Sequence, residues 1–375
     1  MGVAKDPAML IDLDGARSRP EQPNENFARE LFELFTLGEG NYTEKDIQEA
    51  ARAFTGWSVR LRPKPGEVMD EETHVPLFLD NPKWHDPKSK KIFGKIGNFD
   101  GADVVRLTLQ QPAAPRWITG KLWRFYTGGP PTEELHRELV SAWEQNQGLL
   151  RPFLQAMWTH PDFYAPELSR QRVKSPVEWL IGLCRQLERP LPAPALASEI
   201  TAQLGQKLFA PPNVKGWDGG ITWINTTSLE KRYEYASWLV SGTLGMRRLG
   251  DMDLGRLAIQ SGLLEVPRPM IEGTPMEEPD MKKEFAEKRK AAARQARELL
   301  AVSPAPLAPL AAPEDRQDPD RLVSRLNTRL LPGETAPPEL QARFRKAAGE
   351  TAPLNDAAVR QTVLAIVQSP VYQLG

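Results

Sequence analysis

Apolar residues recur at helical spacing along much of the chain, and the clearest case lies in residues 23–57. Asn24 is a good N-cap for a first helix, and Gly38 supplies a left-handed stop. Between them the apolar positions fall at i, i+4, i+7 and i+8, which are Phe27, Leu31, Leu34 and Phe35. A second helix is predicted after Thr43, with Asp46 at the third helical position. Two short helices with facing apolar stripes are expected to pack as a hairpin.

Further amphipathic helices are predicted from residue 100 onward, where Asp100 and Asp103 form the next capping pattern. The helical stretches cover residues 112–129, 132–143, 149–160 and 173–187, and they return at the C-terminal end of the chain. Prolines, glycines and charges interrupt every apolar run of residues 58–99, which is typical of an irregular loop or a small β-ribbon. The predicted fold is mainly α, a multi-helix array of amphipathic helical hairpins with one long irregular loop.

Changes in composition divide the chain into three predicted parts. Residues 1–265 form a main helical domain, and all ten tryptophans fall between Trp57 and Trp238 within it. Residues 266–319 combine a charged helix at 276–300 with a linker rich in proline and alanine, and we expect both to be exposed to solvent. Residues 320–375 recover amphipathic helices, which we expect to pack on the main domain.

Length and charge exclude several classes of protein. The 375 residues are 40% hydrophobic, which suffices for one substantial core. The 48 basic and 49 acidic side chains nearly cancel, so no global attraction to nucleic acid or anionic lipid is predicted. The single cysteine, Cys184, lies in a helical pattern and is expected to be a core residue. No membrane span and no signal peptide are found in the sequence.

Several segments contain distinctive sequence motifs, of which NENFARELFELFTLG and ARAFTGW within residues 23–57 are the most specific. Residues 84–101, 173–187 and 204–239 contain further motifs, including HDPKSKKIFGKIGNFDG. These motifs resemble those of a large bacterial family catalogued as domain of unknown function 1800. The resemblance implies an exported, periplasmic or secreted protein whose gene often neighbours that of a sulfatase-like protein. It also implies a further helical segment upstream, so the chain resembles the C-terminal part of a longer member.

The signature is concentrated on polar residues at the start of the first predicted helix: Asn24, Glu25, Asn26, Arg29 and Glu30. One interpretation is a solvated helix face, on which Glu25, Arg29 and Glu33 form a charge ladder worth about 0.3–0.5 kcal/mol per exposed pair. The other is a buried polar network or ligand site, which the position of the family signature favours.

The second candidate site lies in the irregular loop. His85, Asp86 and Asp100 match the motif of the family there, whereas Pro87 and Lys88 depart from it. His85 is the one candidate metal ligand, although a metal would need further ligands from elsewhere in the chain. The alternative is that His85 forms hydrogen bonds that pin the loop. The chain contains no HExxH, CxxC pair, GxSxG or phosphate-binding loop, so no cofactor is evident.

A third candidate is the loop rich in proline, glycine and tryptophan that opens residues 204–239. It combines aromatic and short polar side chains, the mixture used to bind sugars, at Trp217, Asp218, Trp223 and Asn225. The alternative is that Trp217 fills the core while the neighbouring glycines permit an unusual backbone.

Three hypotheses about function follow from these observations. The first is a non-catalytic scaffold or partner protein of the cell envelope, which abundant helical packing and the lack of a complete catalytic motif favour. The second is a hydrolase on a polysaccharide or other polymer, in which five side chains converge: Glu25, Glu30, His85, Asp86 and Asp100. The third is carbohydrate binding through Trp217 and Trp223.

Overall fold

Helices form most of the regular structure in the computed structural model of the chain, as the sequence predicts. The structure describes residues 1–60, 77–168, 171–242, 286–288, 290–292, 303–333 and 336–375. Contacts divide the chain into two units, Met1–Ser169 and Arg170–Gly375. Each unit has apolar core residues of its own. The fold is mainly α, and the described strands form only two small sheets.

Short amphipathic helices build unit 1, and their apolar faces meet in its core. They are α1 (Pro7–Asp12), α2 (Glu25–Glu30), α3 (Glu44–Ala53), α4 (Gly101–Leu109), α5 (Ala113–Thr127), α6 (Glu133–Gln145) and α7 (Leu150–Trp158). Helices α2 and α3 pack against each other, which confirms the predicted hairpin. The capping box of Thr43 and Asp46 and that of Asp100 and Asp103 are both present, so these helices begin where the sequence predicts.

Helix α2 continues directly into a π-helix, Leu31–Thr36. The backbone N–H of Leu37 donates to the carbonyl of Phe32 at 2.8 Å, five residues back. This wider turn changes the direction of every side chain beyond Leu31. Phe32 is therefore fully buried and Phe35 is 39% exposed, so the prediction that Phe35 belongs to the buried stripe is wrong.

Two short antiparallel ribbons interrupt the helices of unit 1. Strand β1 (Trp57–Arg60) pairs with β2 (Leu77–Asp80), and Trp57 lies opposite Asp80. Strand β3 (Lys90–Ile92) pairs with β4 (Lys95–Gly97). The predicted irregular loop with a small ribbon is confirmed at these positions, and its residues 61–76 lie outside the described part of the chain.

Unit 2 is built from longer helices around one large core. They are α8 (Pro176–Gln186), α9 (Pro194–Gln203), α10 (Thr226–Ser241), α11 (Pro319–Leu330), α12 (Pro338–Ala348) and α13 (Asp356–Val367). Trp179 and Trp238 share this core with Leu322 and Val363. Helices α11 to α13 thus pack with helices from the middle of the chain. Cys184 is buried among them, as the sequence predicts.

Part of the segment rich in proline and alanine belongs to the same core. Leu307, Leu310 and Ala311 are at most 8% exposed, and the backbone N–H of Ala305 donates to the carbonyl of Val240 at 3.1 Å. The predicted exposure of this linker is therefore wrong at these positions. Leucine and alanine side chains between the prolines fill the core without forming a helix. The predicted boundary near residue 265 and most of the charged helix at 276–300 lie outside the described residues.

Candidate functional site

The polar residues before and within α2 form its start and its link to α3. The side chain of Asn24 accepts hydrogen bonds from the backbone N–H groups of Asn26 and Phe27 at 2.9 and 3.3 Å, as an N-cap does. The side chain of Asn26 donates to the carbonyl of Leu13 at 3.4 Å. Asn24 and Asn26 therefore hold the helix start in place.

Arg29 joins α2 to the first turn of α3. Its guanidinium donates two hydrogen bonds to Glu44, at 2.7 and 2.6 Å, and lies 3.7 Å from Glu25. The hydrogen bonds to Glu44 raise the pKa of Arg29, and Arg29 lowers the pKa of Glu44. Of the predicted charge ladder, Arg29 therefore pairs with Glu25 and not with Glu33. Glu33 instead accepts a hydrogen bond from the Tyr42 hydroxyl at 3.0 Å.

Glu30 differs from the other acidic residues of this segment. Burial raises the pKa of its carboxyl, the negative charge of Glu33 raises it further, and Arg29 opposes both. Burial, followed by the hydrogen bond to Glu33, raises the pKa of Tyr42 to about 12. A carboxyl that holds its proton more tightly than usual has the property that a general acid requires.

Asp86 lies in a second polar group, which we call the Asp86 cluster: Glu49, Arg52, Thr55, Asp86 and Lys90. Asp86 accepts hydrogen bonds from Arg52 Nε and from the backbone N–H of Lys88, both at 2.8 Å. Arg52 also donates to both carboxylate oxygens of Glu49. Burial raises the pKa of Asp86, but these hydrogen bonds and the positive charges of Arg52 and Lys90 outweigh it, so the net pKa is below its ordinary value.

Lys90 is a buried lysine that the sequence interpretation missed. Its ammonium donates to the carbonyls of Asp86 and Lys88 at 2.6 and 3.0 Å, and burial lowers its pKa. Asp100 contributes a negative charge that acts on Lys90, and its own side chain caps α4. The loop residues Asp86 and Asp100 thus act on one cation.

His85 is held against the end of α3. Its Nδ1 lies 2.9 Å from the carbonyl of Thr55, and a carbonyl only accepts, so this nitrogen carries the proton. The hydroxyl of Thr55 accepts from the backbone N–H of Asp86 at 2.8 Å. In the described part of the chain, no group of three or more His, Cys, Asp or Glu side chains is arranged to hold a metal ion.

The five candidate catalytic residues therefore fall into two groups with different partners. Glu25 and Glu30 belong to α2 and interact with Arg29. His85, Asp86 and Asp100 belong to the loop and to the start of α4, and their partners are Thr55, Arg52 and Lys90. Among the described residues, no hydrogen bond or ion pair joins the two groups.

The candidate binding residues of unit 2 shape the segment 205–224, which we call the 205–224 loop, and its junction with α10. Trp223 is buried, and its ring lies 6.5 Å from that of Trp217 at an angle of 41°. Asp218 forms an ion pair with Lys215 at 3.0 Å. Asn225 caps α10 in a capping box with Ser228. Binding of a sugar to these residues stays a prediction, and Trp217 is the ring more open to a ligand.

Apolar side chains at the surface of the same loop are the residues that sequence reasoning missed. Phe209 is 101% exposed and Ile221 is 75% exposed, and both Leu208 and Val214 are more than 40% exposed. Phe209 also has a left-handed backbone, with φ of 58°. Their position in a loop rich in proline and glycine, outside any helical stripe, was the signal that could have found them.

A family model described as "Protein of unknown function (DUF1800)" matches residues 1–374. No curated protein and no solved structure matches the chain. The match includes α2, the Asp86 cluster and the 205–224 loop. Among the described residues, no helix is both long and apolar enough to cross a membrane.

Proposed function

The chain belongs to the DUF1800 family, and from that premise we propose that it is a non-catalytic scaffold or partner protein of the cell envelope. Its main support is the 205–224 loop, which exposes apolar side chains that a protein partner can bury. A sulfatase-like envelope protein is the partner that we propose. Phe209, the most exposed of these side chains, inserts into a pocket of that partner.

Other side chains of the same loop interact with one another. Trp223 is buried and its ring packs against that of Trp217, and Lys215 forms an ion pair with Asp218 three residues later. Burying an exposed phenylalanine side chain stabilises a complex by roughly 1.5–3 kcal/mol. Phe209 is exposed in the isolated chain, so a partner that buries it gains this contribution to the binding free energy. A non-glycine residue in the left-handed region is strained, and such strain is concentrated at functional positions.

The loop candidates for catalysis support the same proposal, because structural interactions already occupy them. Asp86 is bound to Arg52 and Lys88, Asp100 caps α4, and His85 donates to a backbone carbonyl. A side chain that stabilises the fold in this way is not free to transfer a proton at low cost. Their arrangement is that of a polar network which pins the loop.

A photocrosslinking experiment tests the proposed interface. Benzoylphenylalanine is introduced at Phe209 and, as a matched control, at Leu149, which is 60% exposed in unit 1. Irradiation in native envelope extract is expected to give one discrete adduct with a sulfatase-like protein from position 209 and not from position 149. The same adducts from both positions, or none from position 209, would contradict the proposal.

A Phe209→Gly variant separates the interface from the fold. Glycine removes the apolar side chain and also accepts the left-handed backbone without strain, so we expect the stability to be unchanged or higher. Competition by the wild-type chain is expected to abolish the adduct, and competition by Phe209→Gly is expected to leave it. Equal competition by the two chains would show that Phe209 is not the contact.

A second candidate function is hydrolysis of a polymer, and the raised pKa of Glu30 is the observation that favours it. The assay measures the release of reducing ends from polysaccharide at mildly acidic pH. Loss of a general acid lowers the rate by roughly 10²–10⁴-fold, so Glu30→Gln is expected to be inactive and the exposed control Glu144→Gln active. Equal rates in the two variants would exclude this role for Glu30.

A further inference from the structure

A polar groove lies between α11 and α12 in unit 2, away from the residues discussed above. Its volume is about 490 Å³, within the range of roughly 300–1,000 Å³ found for small-ligand sites. Six polar side chains line it: Asp320, Ser324, Asn327, Thr328, Gln341 and Arg345. They follow the facing sides of two helices, which are rigid supports for a site.

Asn327 is the unusual residue of the groove because one of its polar atoms is buried without a partner. The side chain is only 7% exposed, and its Nδ2 donates to Gln341 Oε1 at 2.9 Å. Its Oδ1 has no hydrogen-bond partner among the described residues. Leaving a buried polar group unpaired is unfavourable, so a ligand that satisfies it gains roughly 5- to 150-fold in affinity.

The chemistry of the two amides specifies the group that binds there. If both amides rotate by 180°, their mutual hydrogen bond is kept and the unpaired atom becomes an N–H instead of a carbonyl oxygen. A hydroxyl can donate as well as accept, so it satisfies Asn327 in either orientation. Ser324 and Thr328 are exposed at the same face and offer further hydroxyl partners.

The charged residues of the groove favour an uncharged ligand. Arg345 Nε and Asp320 Oδ1 form an ion pair at 2.9 Å, and Arg345 also donates to the carbonyl of Gly349 at 2.6 Å. These charges neutralise each other, so the groove attracts neither a free anion nor a free cation strongly. We propose that this groove binds an uncharged, hydroxyl-rich small molecule such as a monosaccharide or cyclic polyol, with Asn327 as the central contact.

Gln341 controls access to Asn327 in this proposal. It is half-exposed at the wall of the groove and holds the Asn327 amide in the absence of ligand. One ligand hydroxyl pairs with Asn327 Oδ1, and a neighbouring hydroxyl replaces Gln341 as the partner of Nδ2, so the Gln341 amide turns to solvent. Removal of Gln341 is therefore expected to strengthen binding, whereas removal of Asn327 abolishes it.

The proposal is tested by nuclear magnetic resonance on the full chain labelled with ¹⁵N-asparagine. The side-chain signal of Asn327 is identified by its loss in Asn327→Leu. Glucose, ribose, N-acetylglucosamine and myo-inositol are titrated, with gluconate as the charged analogue of glucose. At least one neutral probe is expected to shift the Asn327 signal saturably, and gluconate is expected to leave it unchanged.

Variants complete the test. A calorimetric Kd is expected to rise roughly tenfold or more in Asn327→Leu and to fall roughly two- to tenfold in Gln341→Ala. Asn327→Leu removes an unpaired polar group and is expected to fold. If it does not fold, the wild-type titration and Gln341→Ala decide the question. Absence of a saturable shift with all four neutral probes, or weaker binding by Gln341→Ala, would overturn the proposal.

Discussion

Competing electrostatic effects set the pKa values of individual side chains in unit 1, and Asp86 is the clearest example. Burial disfavours its charged form, whereas hydrogen bonds from Arg52 and Lys88 and the nearby charge of Lys90 favour it. The favourable interactions win, so the pKa in the folded chain lies below the ordinary value. The ionised carboxylate therefore contributes to stability.

We predict that Asp86→Asn destabilises unit 1 by about 1–3 kcal/mol at neutral pH, because Arg52 loses the more buried of its two anionic partners. The folded pKa is depressed, so this stabilisation is present above the unfolded value of about 3.8 and disappears as pH falls through the folded pKa. Urea unfolding of wild type and variant across this range measures the difference. Glu44→Gln, at an exposed pair, is the control and is expected to change stability much less.

Cys184 gives a second prediction at this scale. It is buried in the core of unit 2, and burial raises the pKa of its thiol to about 11. Since the thiolate is the reactive form, the folded chain is expected to resist modification by maleimide at neutral pH. In guanidinium chloride the single thiol is expected to react completely. Rapid labelling of the folded chain, measured by mass spectrometry, would contradict the buried position.

The first hairpin shows how the elements depend on one another. The π-helix at Leu31–Thr36 leaves the carbonyl of Leu34 to accept from Trp117 Nε1 at 3.2 Å and from Lys121 Nζ at 2.6 Å. Gly38 then ends this segment directly against the Trp117 ring. The π-helix, its stop and α5 therefore form one packed arrangement.

Two glycines after the π-helix provide a matched pair for testing this arrangement. Both have a left-handed backbone, with φ of 79° at Gly38 and 80° at Gly40. A Cβ on Gly38 would lie 2.6 Å from Trp117, whereas a Cβ on Gly40 meets nothing within 4 Å. We expect Gly40→Ala to cost about 1–2 kcal/mol and Gly38→Ala a further 1–3 kcal/mol. Equal losses by chemical denaturation would show that Trp117 does not close this space.

The cap of α4 provides the other prediction about an element. Asp100 accepts from the backbone N–H of Asp103 at 2.8 Å. Asp100→Ala is expected to cost about 1 kcal/mol of stability, and Asp100→Ser almost nothing, since serine is also a good cap. Thermal unfolding compares the variants. If serine destabilised the chain as much as alanine, the negative charge rather than the cap would be the contribution of Asp100.

The two units are the organising feature of the whole molecule. Among the described residues, the buried members of the unit 1 core clusters extend to Met157, and those of the unit 2 cluster begin at Trp179. The large tryptophans of unit 2 pack with helices from the C-terminal end of the chain. Each unit therefore contains the apolar contacts that a folded domain requires.

We predict that residues 170–375, expressed alone, fold into a helical domain with cooperative thermal unfolding. The buried residues of its core all come from this part of the chain. Circular dichroism and a thermal melt measure the outcome. A matched piece that ends before α13 removes Val359, Val363 and Ile366 from the core and is expected not to fold. Non-cooperative unfolding of the longer piece would show that unit 2 requires unit 1.

Local features were determined by the sequence alone. Asn24, Thr43 with Asp46, and Asp100 with Asp103 begin helices where their spacing predicts, because a cap satisfies backbone groups only two or three residues away. Helical periodicity likewise predicted a mainly α fold, since it depends on neighbours within about two turns. The family signature covered the same segments.

Only the tertiary structure decided which surfaces are buried and which polar groups meet. In the structure Phe32 is buried and Phe35 is exposed. Leu310 of the predicted exposed linker lies in the core, and Phe209 is fully exposed. Asp86 met Arg52 across 34 residues, and the groove at Asn327 formed between two helices. Each outcome depends on atoms distant in sequence, whose contacts no local pattern encodes. Packing also selected the π-helix, since Trp117 and Lys121 bind the carbonyl of Leu34.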